Sequence, residues 1–191
     1  KNEKDYFYEI RGLDRSSSFK NLTSVERASR IIYLNKTCYN GLFRVNSKGE
    51  FNAPFGRYKN PDVVQEELIW AIHAYLNSNQ VEFLTGDFES ATDGAKRGDF
   101  VYFDPPYDPI SDTSSFTGYQ MSQFGKNEQR RLQRLFDKLT MKGCKVMLSN
   151  SSTPFIHELY GDYNILKINA NRFINSRADK RGKIEEVLIL N

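Results

Sequence analysis

Asp104-Pro105-Pro106-Tyr107 is the stretch of this sequence best equipped for chemistry. It follows Phe100-Val101-Tyr102-Phe103, an apolar run that reads as a central strand buried on both faces. Ligands of open parallel sheets bind outside the carboxyl ends of the strands, where this tetrapeptide falls. Its two prolines fix a turn and carry no backbone N–H, so the Pro105 carbonyl can face a cleft as a bare acceptor. Asp104 adds a second acceptor and Tyr107 a flat ring. That set suits an exocyclic amine on an aromatic ring. Two acceptors on its hydrogens favour a pyramidal nitrogen and free a lone pair that is otherwise delocalised. The amine can then attack an electrophilic methyl directly, with alignment supplying much of the catalysis. Asp104 would stabilise the positive charge developing on nitrogen. A base inside a duplex must flip out to reach such a pocket, and stacking on Tyr107 offsets part of the cost. The alternative is a plain strand-to-loop turn with a tyrosine lid.

The elements that must position this turn divide into two halves, residues 1–80 and 81–191. The first half is helical with an irregular middle. Thr23-Ser24-Val25-Glu26 is a capping box opening a helix whose apolar face is Ala28, Ile31, Ile32 and Leu34. Asn60-Pro61-Asp62 predicts the start of a second helix, with Val63, Leu68, Ile69, Ile72, Tyr75 and Leu76 on its buried side. Between them, residues 39–59 suit a hairpin turning at Ser47-Lys48-Gly49, an irregular stretch of a length that is often functional. The second half alternates strands (81–84, 100–103, 145–148, 164–168, 186–190) with helices (126–141, 153–160), which predicts an α/β fold with a mostly parallel sheet.

The 191 residues can bury a core without metal or disulfide help. Cys38 and Cys144 are the only cysteines and are expected as free thiols in a reducing, cytoplasmic setting, with a single disulfide as the alternative. Nothing approaches the roughly 18 apolar residues of a membrane helix, and no metal-ligand spacing occurs around His73 or His157. The net charge of +3 is mild, but two basic runs stand out. One holds Arg172, Arg177, Lys180, Arg181 and Lys183; the other holds Arg44, Lys48, Arg57 and Lys59. They suit either a polyanion footprint or two solvated loops.

The chain resembles the Dam-type DNA adenine methyltransferases, whose catalytic motif is an Asp-Pro-Pro-Tyr tetrapeptide. Tyr33-Leu34-Asn35, Tyr39 to Arg44 and Phe51 to Tyr58 resemble that family's target-recognition segment. Gly86-Asp87-Phe88 resembles its contact with the cofactor's adenine; Phe116-Thr117 and Tyr119 resemble the loop beyond the motif. Ser149-Asn150-Ser151 and Arg181-Gly182-Lys183 to Glu186 match as well. The resemblance implies a Rossmann-like methyltransferase fold with a partial sheet, and a helical and hairpin recognition domain. It also implies S-adenosyl-L-methionine as cofactor, with Asp87, Phe88, Asp104 and Tyr107 against it, and double-stranded DNA as partner, with GATC as target. A monomer without metal is expected, of the kind found in restriction-modification systems. The family's Phe-x-Gly-x-Gly loop has no counterpart in these residues. The expectation is therefore an N-terminal part lying outside this chain, and impaired activity without it.

Within the recognition segment, Arg44 suits guanine's two major-groove acceptors or else a phosphate. Tyr39 suits a wedge in the gap left by a flipped base, or a core aromatic. Asn40 suits the orphaned partner base, a phosphate, or a helix C-cap. Leu42 and Pro54 suit a thymine methyl or the shaping of the hairpin; Arg57 and Lys59 suit phosphates. Phe116, Tyr119, Arg181 and Lys183 complete the expected DNA-contacting set. An RNA base methyltransferase and a DNA-binding remnant without activity are the competing functions.

Overall fold

The computed structural model describes residues 2–110, 124–171 and 183–191. The chain forms two compact units, Lys1–Glu82 and Phe83–Asn191.

In the first unit, helix α1 (Lys4–Gly12) runs into 3-10 turns at Leu13–Arg15 and Ser17–Asn21, then α2 (Ser24–Thr37) and α3 (Glu66–Ser78) follow. The expected capping box is formed: Glu26 N–H donates to Thr23 Oγ1 at 3.2 Å, and Thr23 N–H donates to the Glu26 carboxylate at 2.7 Å. These two bonds satisfy donors that a helix start leaves orphaned. The core is Phe7, Leu34, Cys38, Phe51 and Ala53. Arg30 lies buried beside it, donating to the carbonyls of Ile10 (2.8 Å) and Arg11 (2.7 Å) and pairing with Asp14 at 2.8 Å. A cation against the last carbonyls of α1 suits the negative end of that helix. Asp14 also accepts from Phe51 N–H at 2.8 Å, and Arg15 donates to the Phe51 carbonyl at 2.9 Å. Side chains from α1 and its following turn thus tie down the backbone of the 39–59 segment.

Two expectations fail in this unit. The second helix starts at Glu66 rather than near Pro61. The β-branched pair Val63-Val64 resists helix, whereas Glu66 and Glu67 complement the positive end of the dipole. Its expected buried side is also absent: Leu68, Ile69, Ile72 and Tyr75 are exposed, and Val63 and Leu76 are half-buried. On α2, Leu34 is buried but Ile32 is exposed.

In the second unit, α4 (Phe88–Ala91) precedes β1 (Phe100–Phe103), α5 (Lys126–Met141), β2 (Lys145–Ser151), α6 (Pro154–Leu159), β3 (Asn164–Asn171) and β4 (Lys183–Leu190). The strands order as β1-β2-β4-β3. β1 pairs with β2 in parallel, and β4 pairs antiparallel with both β2 and β3. Three strands therefore share a direction and β4 is reversed, so the α/β sheet is mixed. Leu132, Leu135, Phe136 and Leu139 of α5 cover it, packing on Val146, Leu148, Ile156, Tyr160, Val187 and Ile189.

Residues 81–84 are not a strand: no described strand pairs with them, and Phe83 and Leu84 are exposed. β1 has its expected bounds but lies at the edge of the described sheet. Phe100 and Tyr102 are exposed on one face while Phe103 is buried on the other. Among the described residues, no helix is long and apolar enough to cross a membrane.

Candidate active site

Parallel pairing brings the carboxyl ends of β1 and β2 together, with Phe103 opposite Leu148. The next residues, Asp104 and Ser149, meet there. Ser149 Oγ donates to Asp104 Oδ1 at 2.8 Å and accepts from Tyr102 Oη at 2.9 Å. Tyr102 and Asp104 share a strand face because side chains alternate, so one serine serves both. Asp104 is exposed, and among the described residues nothing donates to its Oδ2 or to the Pro105 carbonyl. Among the described residues, these two acceptors of the turn therefore have no donor. Tyr107 is half-buried beside Ser149. Burial pushes its phenol above the ordinary value, the Ser149 hydroxyl pulls the other way, and the nearby Asp104 carboxylate pushes it up again.

The far side of the turn is fixed by buried polar groups. Gln129 Nε2 of α5 donates to the Pro106 carbonyl at 2.8 Å, and its Oε1 accepts from Asn150 Nδ2 at 3.1 Å. Asn150 Oδ1 accepts from the backbone N–H of Asp108 and of Ser151, both at 2.9 Å. Asp108 Oδ2 accepts from Thr153 Oγ1 at 2.7 Å, the same hydroxyl that caps α6.

A cavity of about 260 Å³ opens next to the turn, lined by Phe88, Tyr102, Phe103, Asp104, Pro105, Pro106, Phe124 and Leu132. Phe88 and Phe124 meet edge-to-face with centroids 5.9 Å apart. Asp87 caps α4, accepting from Glu89 N–H at 2.9 Å. Arg131 of α5 grips this segment: it contacts Asp87, bonds Glu89 and Glu128 at 2.8 and 2.9 Å, and lies 4.5 Å over the Phe88 ring. The Arg131 bond, then the Glu89 N–H, hold the Asp87 carboxyl below its ordinary range. A larger cavity of about 670 Å³ lies in the first unit between α1, α2 and residues 63–69. Its walls are mainly aliphatic and aromatic, and it offers no acceptor set comparable to Asp104 and Pro105.

The expected recognition residues cluster on the first unit's hairpin. Val45 bridges Phe51, Cys38 bridges Phe55, and Asn52 N–H donates to the Arg44 carbonyl at 2.8 Å. Tyr39, Asn40, Arg44, Pro54, Arg57 and Lys59 are exposed and Leu42 is half-buried. Tyr39 is therefore not a core aromatic, and the residue that caps α2 is Cys38, not Asn40. Asn40 sits just beyond in the left-handed region at φ 54°, and Arg57 does so at φ 49°. Arg44 donates to Asn52 Oδ1 at 2.7 Å and to the Asn52 carbonyl at 3.1 Å, which aims its guanidinium along the hairpin. Gly56 permits the closest approach: a Cβ there would lie 2.6 Å from the Cys38 carbonyl oxygen. Lys183 opens β4, while Phe116, Tyr119 and Arg181 lie outside the described residues.

Of the residues singled out from the sequence, Phe88, Asp104, Pro105 and Pro106 line one cavity, Asp87 adjoins it at the start of α4, and Tyr107 lies beside Ser149 without lining it. Sequence reasoning missed Gln129 and Arg131, whose contacts with Pro106, Glu89 and Asp87 span 23 to 44 residues. Neither stands out in a helix that also carries Asn127, Glu128, Gln133 and Asp137.

The sequence model of the D12 class of N6 adenine-specific DNA methyltransferases matches residues 1–174. A type II methyltransferase of Lactococcus lactis subsp. cremoris is 50% identical over 190 residues, covering 100% of this chain and 67% of its own length. A type II methyltransferase of Methanocaldococcus jannaschii is 45% identical, covering 98% of this chain and 65% of its own. A DNA adenine methylase of Serratia marcescens is 36% identical, covering 99% and 68%. The chain thus spans about two thirds of the length of the curated relatives it matches. The likeness runs through both compact units, and the chain belongs to the D12 class of N6 adenine-specific DNA methyltransferases.

Proposed function

We propose that the protein containing this chain transfers a methyl group from S-adenosyl-L-methionine to the exocyclic amine of adenine in double-stranded DNA, with GATC as its target. The observation that carries this reading is the pair of acceptors at the end of β1, Asp104 Oδ2 and the Pro105 carbonyl, to which no described residue donates, beside an aromatic cavity. They accept the two hydrogens of a flipped adenine's amine, and Tyr107 gives the base a face to stack on. Ser149 fixes Asp104 through Oδ1 and leaves Oδ2 for the amine. Asp104 stabilises the charge that grows on nitrogen.

The residues around the cavity fit one end of the cofactor. Phe88 and Phe124 offer ring edges, and Asp87 stands at the neighbouring helix start as an acceptor for an amine. When bound, the cofactor supplies an electrophilic methyl group on sulfur. Within the recognition hairpin, Arg44 reads guanine, and Arg57 and Lys59 hold phosphates. Tyr39 enters the gap in the duplex, Asn40 faces the orphaned base, and Leu42 and Pro54 meet a thymine methyl. Rossmann-like topology and a monomer acting on cytoplasmic DNA belong to the same reading.

The test incubates the full-length protein with methyl-labelled cofactor and either a GATC duplex, a scrambled duplex, or structured RNA. Label recovered as N6-methyladenine from the GATC duplex is the expected result. Label on RNA, or on neither duplex, overturns the reading.

A further inference from the structure

The catalytic turn has an anchoring problem built into its sequence. Pro105 and Pro106 have no backbone N–H, so two consecutive residues cannot be held as donors. Only their carbonyls, and the groups flanking them, can fix the turn. The Pro105 carbonyl is unsatisfied among the described residues and is assigned above to the substrate. The Pro106 carbonyl is taken by Gln129 Nε2 at 2.8 Å. The first N–H beyond Tyr107, that of Asp108, is taken by Asn150 Oδ1 at 2.9 Å. These two contacts bracket Tyr107 on either side.

The two amides are joined to each other, Asn150 Nδ2 to Gln129 Oε1 at 3.1 Å, and both are essentially fully buried. Their polarity is set from outside. The Pro106 carbonyl can only accept, so Gln129 must present its NH₂ there and its oxygen to Asn150. The Asp108 and Ser151 N–H groups can only donate, so Asn150 must present its oxygen to them. Reversing either amide would oppose like groups in a buried site, where an unmade hydrogen bond is costly. The arrangement therefore admits one orientation of each amide.

We infer that Gln129 and Asn150 are positioning residues for methyl transfer. By holding the Pro106 carbonyl and the Asp108 N–H they turn the Pro105 carbonyl and the Tyr107 ring toward the substrate base. This role rests on the methyltransferase reading above. Neither side chain touches substrate, and their effect reaches the reaction through the turn. A displacement of about 1 Å in a reacting constellation can cost about 100-fold in rate.

The test uses full-length protein with Gln129→Met, which keeps the volume and removes the donor, and Gln129→Glu, which keeps the shape. Gln133→Met serves as control, because Gln133 bonds Asp137 on the same helix and not the turn. Folding is checked by circular dichroism, and kcat is separated from the KM values for cofactor and DNA. The expected result for Q129M is a fall in kcat of about 10–100-fold with both KM values within about threefold, and no change for Q133M. Q129E should show a deficit that shrinks as pH is lowered from about 8 to 6, since a protonated buried carboxyl regains a donor for the Pro106 carbonyl. A folded Q129M with kcat within twofold of wild type overturns the role, as does a loss confined to KM or a Q129E deficit independent of pH. Two variants that both fail to fold also overturn it, marking Gln129 as a residue the fold itself requires. Wild-type protein that transfers no methyl group to adenine overturns the methyltransferase reading instead, and this inference with it.

Discussion

Among the described residues, one hydroxyl holds Asp104, and that hydroxyl is held by another. The chain Tyr102–Ser149–Asp104 orients the carboxylate without neutralising it, because Ser149 donates a single bond to Oδ1. Ser149→Ala should therefore leave cofactor and DNA binding near wild type and lower the single-turnover methylation rate by about 10-fold, the scale of one weakened charge-assisted bond. A rate equal to wild type would show that Asp104 needs no such partner. Arg44 is a separate case. Its Nε and Nη2 bond Asn52, so the hairpin pre-aims the side chain before any DNA arrives. Arg44→Ala should narrow discrimination between GATC and near-cognate duplexes by about 1–3 kcal/mol, or about 5–150-fold in relative kcat/KM. A uniform loss on all duplexes would mark a phosphate contact instead. The tetrapeptide was readable in the sequence because its meaning is local: two prolines, one acid and one aromatic after a strand. Gln129 and Arg131 were not, and Asn150 was legible only as part of a matching segment without a role, since each acts on a residue brought near by folding.

Elements with explicit punctuation formed as expected. The Thr23–Glu26 capping box opens α2, Thr153-Pro154 opens α6, and the amphipathic stretch Lys126–Met141 is a single helix, α5. Elements that depend on a partner did not. Residues 81–84 have strand composition but no described neighbour to bond, and α3 has apolar residues but no buried face. Hydrophobic pattern specifies what a segment could bury, not what it meets. The capping box is testable alone: Thr23→Ala should cost about 0.5–2 kcal/mol of stability, read from denaturant unfolding. The Glu26 carboxyl lies below its ordinary range because it accepts from the Thr23 N–H and hydroxyl. A lowered folded value means its stabilisation is present at neutral pH and fades as pH falls through that value. The difference between wild type and Thr23→Ala should therefore shrink in acid, and a constant difference would argue against the box.

Each of the two units has a core of described residues that holds one thiol. Cys38 lies in the first unit's core and Cys144 in the second's; both are buried and free. Burial pushes the Cys38 thiol above its ordinary value, which slows its reaction as thiolate. Neither cysteine should label with a thiol reagent in the native protein at pH 8. In rising urea Cys38 should label first, because the smaller core has less apolar area to lose on opening. Simultaneous labelling would show that the two units unfold as one.

Methyl transfer here depends on Asp104 accepting from an adenine amine. Single-turnover methylation of a GATC duplex by full-length Asp104→Asn is the most direct measurement. The side chain keeps its shape but loses its charge and presents a donor where an acceptor is needed. The expected result is a rate at least about 100-fold below wild type with cofactor and DNA still bound. A rate within a few-fold of wild type would contradict it.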